Sequence, residues 1–136
     1  MLGLPCAVAR GEVTDEANAT EEVVVSCLYH MGEFGADSIR ACVDRDLSAV
    51  RGLSRYPDAV KEIVARCTRQ MRQNGWSMVK ACADRDIEAA AALAAYATEH
   101  EALVERCRTE MGKHGAAKVK ACVDQAIESD EPSKKD

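Results

Sequence analysis

The sequence predicts an all-α protein made of three tandem helical hairpins, six helices in total, with one disulfide bond in each hairpin. Three observations lead there: a repeat of forty residues, a pair of cysteines at matching places in every copy, and apolar residues at helical spacing. Alternating runs of β-branched or aromatic residues, which are typical of strands, are absent from the sequence. The hairpins are expected to stack as a short solenoid or to close into a bundle.

The repeat is defined by seven positions that hold the same residue type in all three copies. These positions are Val24, Val64 and Val104; Cys27, Cys67 and Cys107; Met31, Met71 and Met111; Gly35, Gly75 and Gly115; Ala41, Ala81 and Ala121; Cys42, Cys82 and Cys122; and Asp44, Asp84 and Asp124. So many identities in one register are far beyond chance. The three units are therefore internal duplicates.

The organisation expected from this register is one domain with units at 18–57, 58–97 and 98–129, the third of them truncated. Residues 1–17 are expected to be flexible and residues 130–136 to be a disordered tail, because both segments carry many small and acidic residues. The third unit has alanine at position 126, where its predecessors have aspartate, and terminal repeats are often atypical.

Each unit is expected to contain two helices. In the second unit, the apolar residues before Gly75 fall at i, i+3, i+4, i+7 and i+11, and a second apolar stripe follows the glycine. A glycine suits the end of a helix because it adopts positive φ without strain. Asn18, Asp58 and Thr98 occupy equivalent places at the start of the units, and their side chains are favourable N-caps.

Six of the seven cysteines are expected to form disulfides within the hairpins, as Cys27–Cys42, Cys67–Cys82 and Cys107–Cys122. The first cysteine of each pair lies eight residues before the turn glycine and the second lies seven residues after it. Two positions equally far from the tip of an antiparallel hairpin face each other, within the Cα separation that a disulfide needs. Each bridge is expected to stabilise the fold by about 3 kcal/mol.

Two alternatives compete with the disulfides. Reduced, buried cysteines pack as small hydrophobic residues, and cysteine with methionine also forms sites for soft metals such as Cu(I). The soft-metal alternative uses Cys27, Met31, Cys42, Cys67, Met71, Cys82, Cys107, Met111 and Cys122. A methionine at the hairpin tip is, however, more often a packing residue, and a disulfide supplies no thiolates to a metal.

Charge and length exclude several classes of protein. A net charge of −5 argues against a general nucleic-acid binder, and the longest apolar run, at 89–97, is too short to span a membrane. Disulfides imply an oxidising compartment, so a periplasmic or secreted protein is expected. The segment 7–9 resembles the end of a signal peptide, in which case Cys6 is removed with it; otherwise Cys6 is a free thiol.

No catalytic motif or cofactor-binding motif is present in the sequence, so the protein is expected to have no enzymatic activity and no cofactor. The three histidines occupy non-equivalent repeat positions. The aspartates at 44, 84 and 124 are expected on the outer helix face, paired with the basic residue four positions earlier or with an arginine of a neighbouring unit, such as Arg66 or Arg106.

The expected function is binding of a protein or peptide partner of unknown identity, since helical repeat arrays present extended faces for this purpose. Arg72, Trp76 and Lys80 form a candidate binding surface at the tip of the second hairpin, where other units have no tryptophan. The competing interpretation is that Trp76 folds back onto the hairpin core. The alternative function is soft-metal binding or thiol-redox chemistry.

Overall fold

The computed structural model describes residues 16–135, and the side chains of residues 18–129. The helices are α1 (Glu16–Met31), α2 (Ala36–Ser54), α3 (Lys61–Met71), α4 (Trp76–Glu99), α5 (Glu101–Met111) and α6 (Ala116–Lys135). Within this part of the chain there is no strand, and the predicted all-α fold with six helices is confirmed.

Each hairpin turns through the same short device. A single 3-10 turn follows the first helix of every hairpin, at Gly32–Phe34, Arg72–Asn74 and Gly112–His114, and a glycine comes next. Gly35, Gly75 and Gly115 have φ values of 98°, 106° and 102°, with extended ψ. This combination is adopted almost only by glycine. The repeated glycine therefore reverses the chain at every tip, as its position in the sequence predicts.

The predicted disulfides are confirmed. Cys27 is bonded to Cys42, and Cys107 to Cys122, with a Cα–Cα distance of 5.8 Å in both cases. Cys67 and Cys82 are disulfide-bonded as well, so each hairpin has its bridge. The alternative of reduced, merely packed cysteines is wrong for these six residues.

The chain divides into two compact units, Met1–Ala81 and Cys82–Asp136, with the boundary inside α4. In the first unit, α1 and α2 form a hairpin whose buried residues include Val23, Cys27, Val50 and Leu53. In the second unit, α5 packs on α6 around a core that also takes in Leu93 from α4. The buried members of that core are Leu93, Val104, Cys107, Val119 and Val123.

The three predicted N-caps are wrong. Helix α1 begins two residues before Asn18, Asp58 opens a 3-10 turn ahead of α3, and Thr98 lies inside α4. The Thr98 hydroxyl donates a hydrogen bond to the Ala95 carbonyl, 2.9 Å away, instead of capping α5. The alanine-rich segment 89–97 has the highest helix propensity available. Helix α4 therefore runs through the expected boundary and leaves only His100 before α5.

The C-terminal segment also differs from the expectation of a disordered tail. Helix α6 continues to Lys135, so the backbone at 130–135 is helical. The expectation for residues 1–17 falls almost wholly outside the described residues, since α1 begins at Glu16.

Two buried aspartates join successive hairpins. Asp46 on α2, only 3% exposed, accepts a hydrogen bond from the Ser77 backbone N–H at the start of α4, at 3.2 Å. Asp86 on α4 is equally buried and accepts one from the Ala117 backbone N–H at the start of α6, at 2.9 Å. A helix N-terminus leaves such N–H groups without partners, and a carboxylate there also interacts favourably with the helix dipole.

Substituting Asp46→Ala is expected to lower the free energy of unfolding by about 1–2 kcal/mol, because the half-buried Ser77 N–H then loses its acceptor. Asp44→Ala, on the exposed side of the same helix, is the matched control and is expected to change stability by less than about 0.5 kcal/mol. Urea denaturation of both variants measures the difference. Equal losses would show that the buried carboxylate does not hold α4.

Candidate interaction surface

Helix α1 carries a row of exposed apolar side chains. Val25 is 61% exposed, Leu28 51% and Tyr29 84%, and Phe34 in the following turn is 60% exposed. Residues at i, i+3 and i+4 project from the same side of a helix, so the three α1 residues form one continuous surface. We call Val25, Leu28, Tyr29 and Phe34 the α1 face.

The α1 face lies outside the buried core of the hairpin. The opposite side of the helix supplies the core, where Val23 and Cys27 are completely enclosed against α2. Helix α1 is therefore apolar on two sides, one of them buried and one open. A helix that only needs to cover a core is expected to be polar on its outer side.

The other two repeats provide an internal comparison. The four positions of the α1 face correspond to Ala65, Thr68, Arg69 and Asn74 in the second repeat, and to Glu105, Arg108, Thr109 and His114 in the third. All but one of these eight residues are polar or charged. The repeat architecture therefore does not demand an apolar residue at these positions, and repeat one carries them for another reason.

In the second repeat, the equivalent positions lie beside the end of the preceding repeat. Ala65 and Thr68 line a groove of about 440 Å³ together with Leu53, at the end of α2, and Pro57, in the connection that follows. Helix α1 offers a larger apolar surface at the corresponding place.

Carboxylates flank the α1 face. Glu21 lies one helical turn before Val25, and Glu33 lies four residues after Tyr29. Glu21, Glu33 and Asp37 are exposed and form no ion pair within the part of the chain whose side chains are described. The surface is therefore apolar in its middle and negatively charged at its margins.

The surface predicted around Trp76 is not an exposed cluster. Trp76 is only 3% exposed, in agreement with the interpretation that it belongs to the core. Its Nε1 has no hydrogen-bond acceptor among residues 18–129, so packing of the ring holds the side chain in place. Lys80 lies over the ring of Tyr56, with its Nζ 5.9 Å from the centroid.

Arg72, the third member of that predicted surface, forms an ion pair within the protein. Its Nε and Nη2 donate to the two oxygens of Glu22 on α1, at 2.8 and 2.5 Å, and its Cζ lies 5.1 Å from the centroid of the Trp76 ring. The hydrogen bond to Glu22 raises the pKa of Arg72. Arg72 thus links the first two hairpins and shields the indole.

The soft-metal alternative depends on the state of the cysteines. The sulfurs of Cys27 and Cys42 and a carboxylate oxygen of Asp46 lie within 4.8 Å of one another, all three residues being buried. As a disulfide, the two sulfurs supply no thiolate ligand. Met111 packs against the core of its hairpin, as a flexible gap-filling side chain does. A metal site there requires the bridge to be opened first.

The ion pair predicted for the repeated aspartates is present at Asp124, whereas Asp44 forms no ion pair in the part of the chain whose side chains are described. The two oxygens of Asp124 accept hydrogen bonds from the Lys120 Nζ at 2.7 Å and from the Tyr96 hydroxyl at 2.6 Å. The bond from Lys120, and then that from Tyr96, lowers the pKa of Asp124. The bond to Asp124 raises the pKa of both donors. These polar groups satisfy one another and fasten α4 to α6.

The α1 face escaped prediction because its residues look like ordinary helix hydrophobics. Val25 stands in a run of valines, two of which belong to the buried side of the helix or its edge. The signal was nevertheless present in the register. Aligning the repeats at positions 28 and 29 shows Leu and Tyr where Thr, Arg, Arg and Thr stand later in the chain.

The disulfides indicate that the protein matures in an oxidising compartment. Among the described residues, no helix combines the length and the apolar character needed to cross a bilayer. The longest of the described helices, α4, is continuous but contains charged residues at 80, 84, 85, 86 and 88.

Comparison with family models finds no match for this chain. Neither a curated protein nor a solved structure is significantly similar to it. The inference of function therefore depends on the geometry of the described residues alone.

Proposed function

We propose that this chain is a non-catalytic helical repeat module that acts by binding another protein. The observation that carries the proposal is the α1 face, an exposed apolar surface at positions that are polar in the other two repeats. Contiguous exposed apolar patches on soluble domains commonly mark interaction sites. The Cys27–Cys42 disulfide links α1 to α2, so a cross-linked hairpin presents that surface.

A protein partner suits the shape of the α1 face better than a small molecule does. Small-molecule sites are concave and enclose most of their ligand. The α1 face is instead the outer side of a helix, with a 3-10 turn at its end. A surface of this kind fits another helix or an apolar groove, as in helix-in-groove recognition.

The proposed location is the periplasm or the extracellular space. Disulfides in small domains persist where glutathione and thioredoxin do not reduce them, which favours export from the cytosol. A core with few aromatic residues also gains from cross-links, since only five aromatic side chains occur in the 136 residues.

Soft-metal binding or thiol-redox chemistry is the second candidate. It is supported by the proximity of the Cys27 and Cys42 sulfurs to the Asp46 carboxylate. In the structure that carboxylate already accepts a hydrogen bond from the Ser77 N–H. The disulfide between Cys27 and Cys42 leaves no thiolate for a metal, which makes the second candidate weaker than the first.

Site-specific photo-crosslinking tests the proposed function. A benzophenone amino acid in place of Tyr29 is expected to give an adduct with one other protein in the cells that make the chain, and that protein is expected to retain this chain in a reciprocal pull-down. The same amino acid at Thr109, the equivalent exposed position of the third repeat, is the matched control.

The triple variant Val25→Ala, Leu28→Thr, Tyr29→Arg carries the residues of the second repeat. It is expected to lose the partner in the pull-down while its free energy of unfolding changes by less than about 0.5 kcal/mol per site. Adducts of equal yield from positions 29 and 109, or retention of the partner by the triple variant, would refute the proposal.

A further inference from the structure

We infer that the partner of the α1 face is a positively charged amphipathic helix of another protein. This inference rests on the proposed function and adds the chemistry of the partner to it. It is carried by the juxtaposition of an exposed apolar row on α1 with unpaired carboxylates at both ends of that row. The two features do not occur together in either of the other repeats.

The apolar part of the surface is suited to a helix. Val25, Leu28 and Tyr29 lie within about one turn of α1, and Phe34 extends the apolar surface beyond the end of the helix. A partner helix that places apolar side chains at i, i+3 or i+4, and i+7 covers such a row with consecutive turns. Tyr29 and Phe34 supply most of the apolar area that binding removes from water.

The carboxylates around the α1 face favour a partner of positive charge. Residues 16–39 contain five carboxylates and no lysine or arginine. Glu22 is neutralised by Arg72, but Glu21, Glu33 and Asp37 form no ion pair in the part of the chain whose side chains are described. Lysine or arginine beside the apolar anchors of the partner complements these carboxylates and raises both the association rate and the specificity.

The corresponding segments of the other repeats have a different balance. Residues 56–79 contain two acidic and four basic side chains, and residues 96–119 contain four of each. Lys61 and Gln73 stand where repeat one has Glu21 and Glu33, and in the third repeat these positions are Glu101 and Lys113. The acidic frame is therefore a property of repeat one, together with the apolar row.

The same charge disfavours other occupants. A second copy of this chain brings identical carboxylates against each other across a two-fold interface. An anionic lipid surface is repelled in the same way. Residues 1–15 of this chain contain a single basic side chain, Arg10, against Glu12 and Asp15. Each of these occupants leaves the carboxylates of the α1 face uncompensated.

Binding of designed peptides to the full chain tests the inference. Three fluorescein-labelled peptides of about 18 residues, long enough to form a helix, share one leucine stripe and differ only in the remaining positions, which are lysine, glutamine or glutamate. Fluorescence anisotropy is expected to show the lysine peptide binding about tenfold more tightly than the glutamine peptide. Raising the salt from about 50 to about 300 mM is expected to remove most of this advantage.

Variants of the chain locate the binding. The double variant Glu21→Gln, Glu33→Gln is expected to bind the lysine peptide about fivefold more weakly and to bind the glutamine peptide with unchanged affinity. Glu105→Gln with Glu110→Gln, which removes two exposed carboxylates from the third repeat, is the matched control and is expected to leave both affinities unchanged. The triple variant of Val25, Leu28 and Tyr29 is expected to bind both peptides about tenfold more weakly.

The outcomes separate the inference from the proposed function. Equal affinity for the lysine and glutamine peptides, both lost in the triple variant, would overturn the positive partner and leave the proposed function standing. Equal weakening by the two carboxylate pairs would show diffuse attraction to an acidic protein and would also overturn the inference. Crosslinks from position 29 to a second copy or to residues 1–15 would overturn both.

Discussion

Replacing both cysteines of the third hairpin, Cys107→Ser with Cys122→Ser, is expected to lower the free energy of unfolding by about 3 kcal/mol. The bridge joins residues that are fifteen apart in sequence, and opening it restores conformational freedom to the unfolded chain. Cys107 is completely buried, so the serine hydroxyl adds a desolvation cost. Urea denaturation measures the loss, and circular dichroism at low temperature is expected to show nearly unchanged helix content.

Thiol titration of the denatured, unreduced protein is the companion measurement. With three bridges formed, Cys6 is the only cysteine of the sequence left to react, so at most one thiol per chain is expected. Cys6→Ser is the control and is expected to remove that thiol without affecting stability. Six or seven thiols in protein prepared without reductant would contradict the bridges and favour the soft-metal or redox candidate.

Substituting Gly75→Ala is expected to cost about 3 kcal/mol, more than the same change at Gly35. Both glycines have a positive φ, 106° and 98°, so each alanine introduces backbone strain of about 1–3 kcal/mol. At Gly75 the added Cβ also lies 3.0 Å from the Asp46 Oδ2, whereas at Gly35 it meets no atom of the described residues within 4 Å. A shift of the Asp46 carboxylate away from the added Cβ is expected to weaken its hydrogen bond from the Ser77 N–H.

The difference between the two alanine variants therefore measures the crowding at Asp46. Urea denaturation of Gly35→Ala and Gly75→Ala gives both losses on the same scale. In the double variant Gly75→Ala, Asp46→Ala, the crowding is absent, so the combined loss is expected to be smaller than the sum of the single losses. Identical losses at the two glycines, or strict additivity in the double variant, would contradict this account.

The sequence was sufficient for the hairpins and their bridges. Cys107 and Cys122 stand nearly equidistant from Gly115, and only an antiparallel pair of helices turns that symmetry into contact. Repetition made the inference firm, since the same arrangement recurs forty residues earlier and eighty residues earlier. Local patterns that recur at a fixed interval determine local geometry reliably because each repeat folds by the same rules.

The ends of the helices and the open surface were harder to predict. Thr98 has a suitable capping side chain, but the helix propensity of the alanines before it decides where α4 ends. Asp46 and Asp86 look like surface aspartates in sequence, because the helix end that each one caps lies about thirty residues further on. Hydrophobic spacing alone does not distinguish the buried from the exposed side of α1.

The buried aspartates also bear on how such a chain grows during evolution. The second repeat contains both parts of the joint: the Ser77 N–H that receives a carboxylate and the Asp86 carboxylate that serves the next hairpin. The N–H at the start of the second helix of the third repeat also donates to a carboxylate, but this repeat has Ala126 where the earlier repeats have the buried aspartate. Tandem duplication of the middle unit therefore inserts a segment that is already compatible with its neighbours on both sides, whereas duplication of the third unit creates a junction without an acceptor.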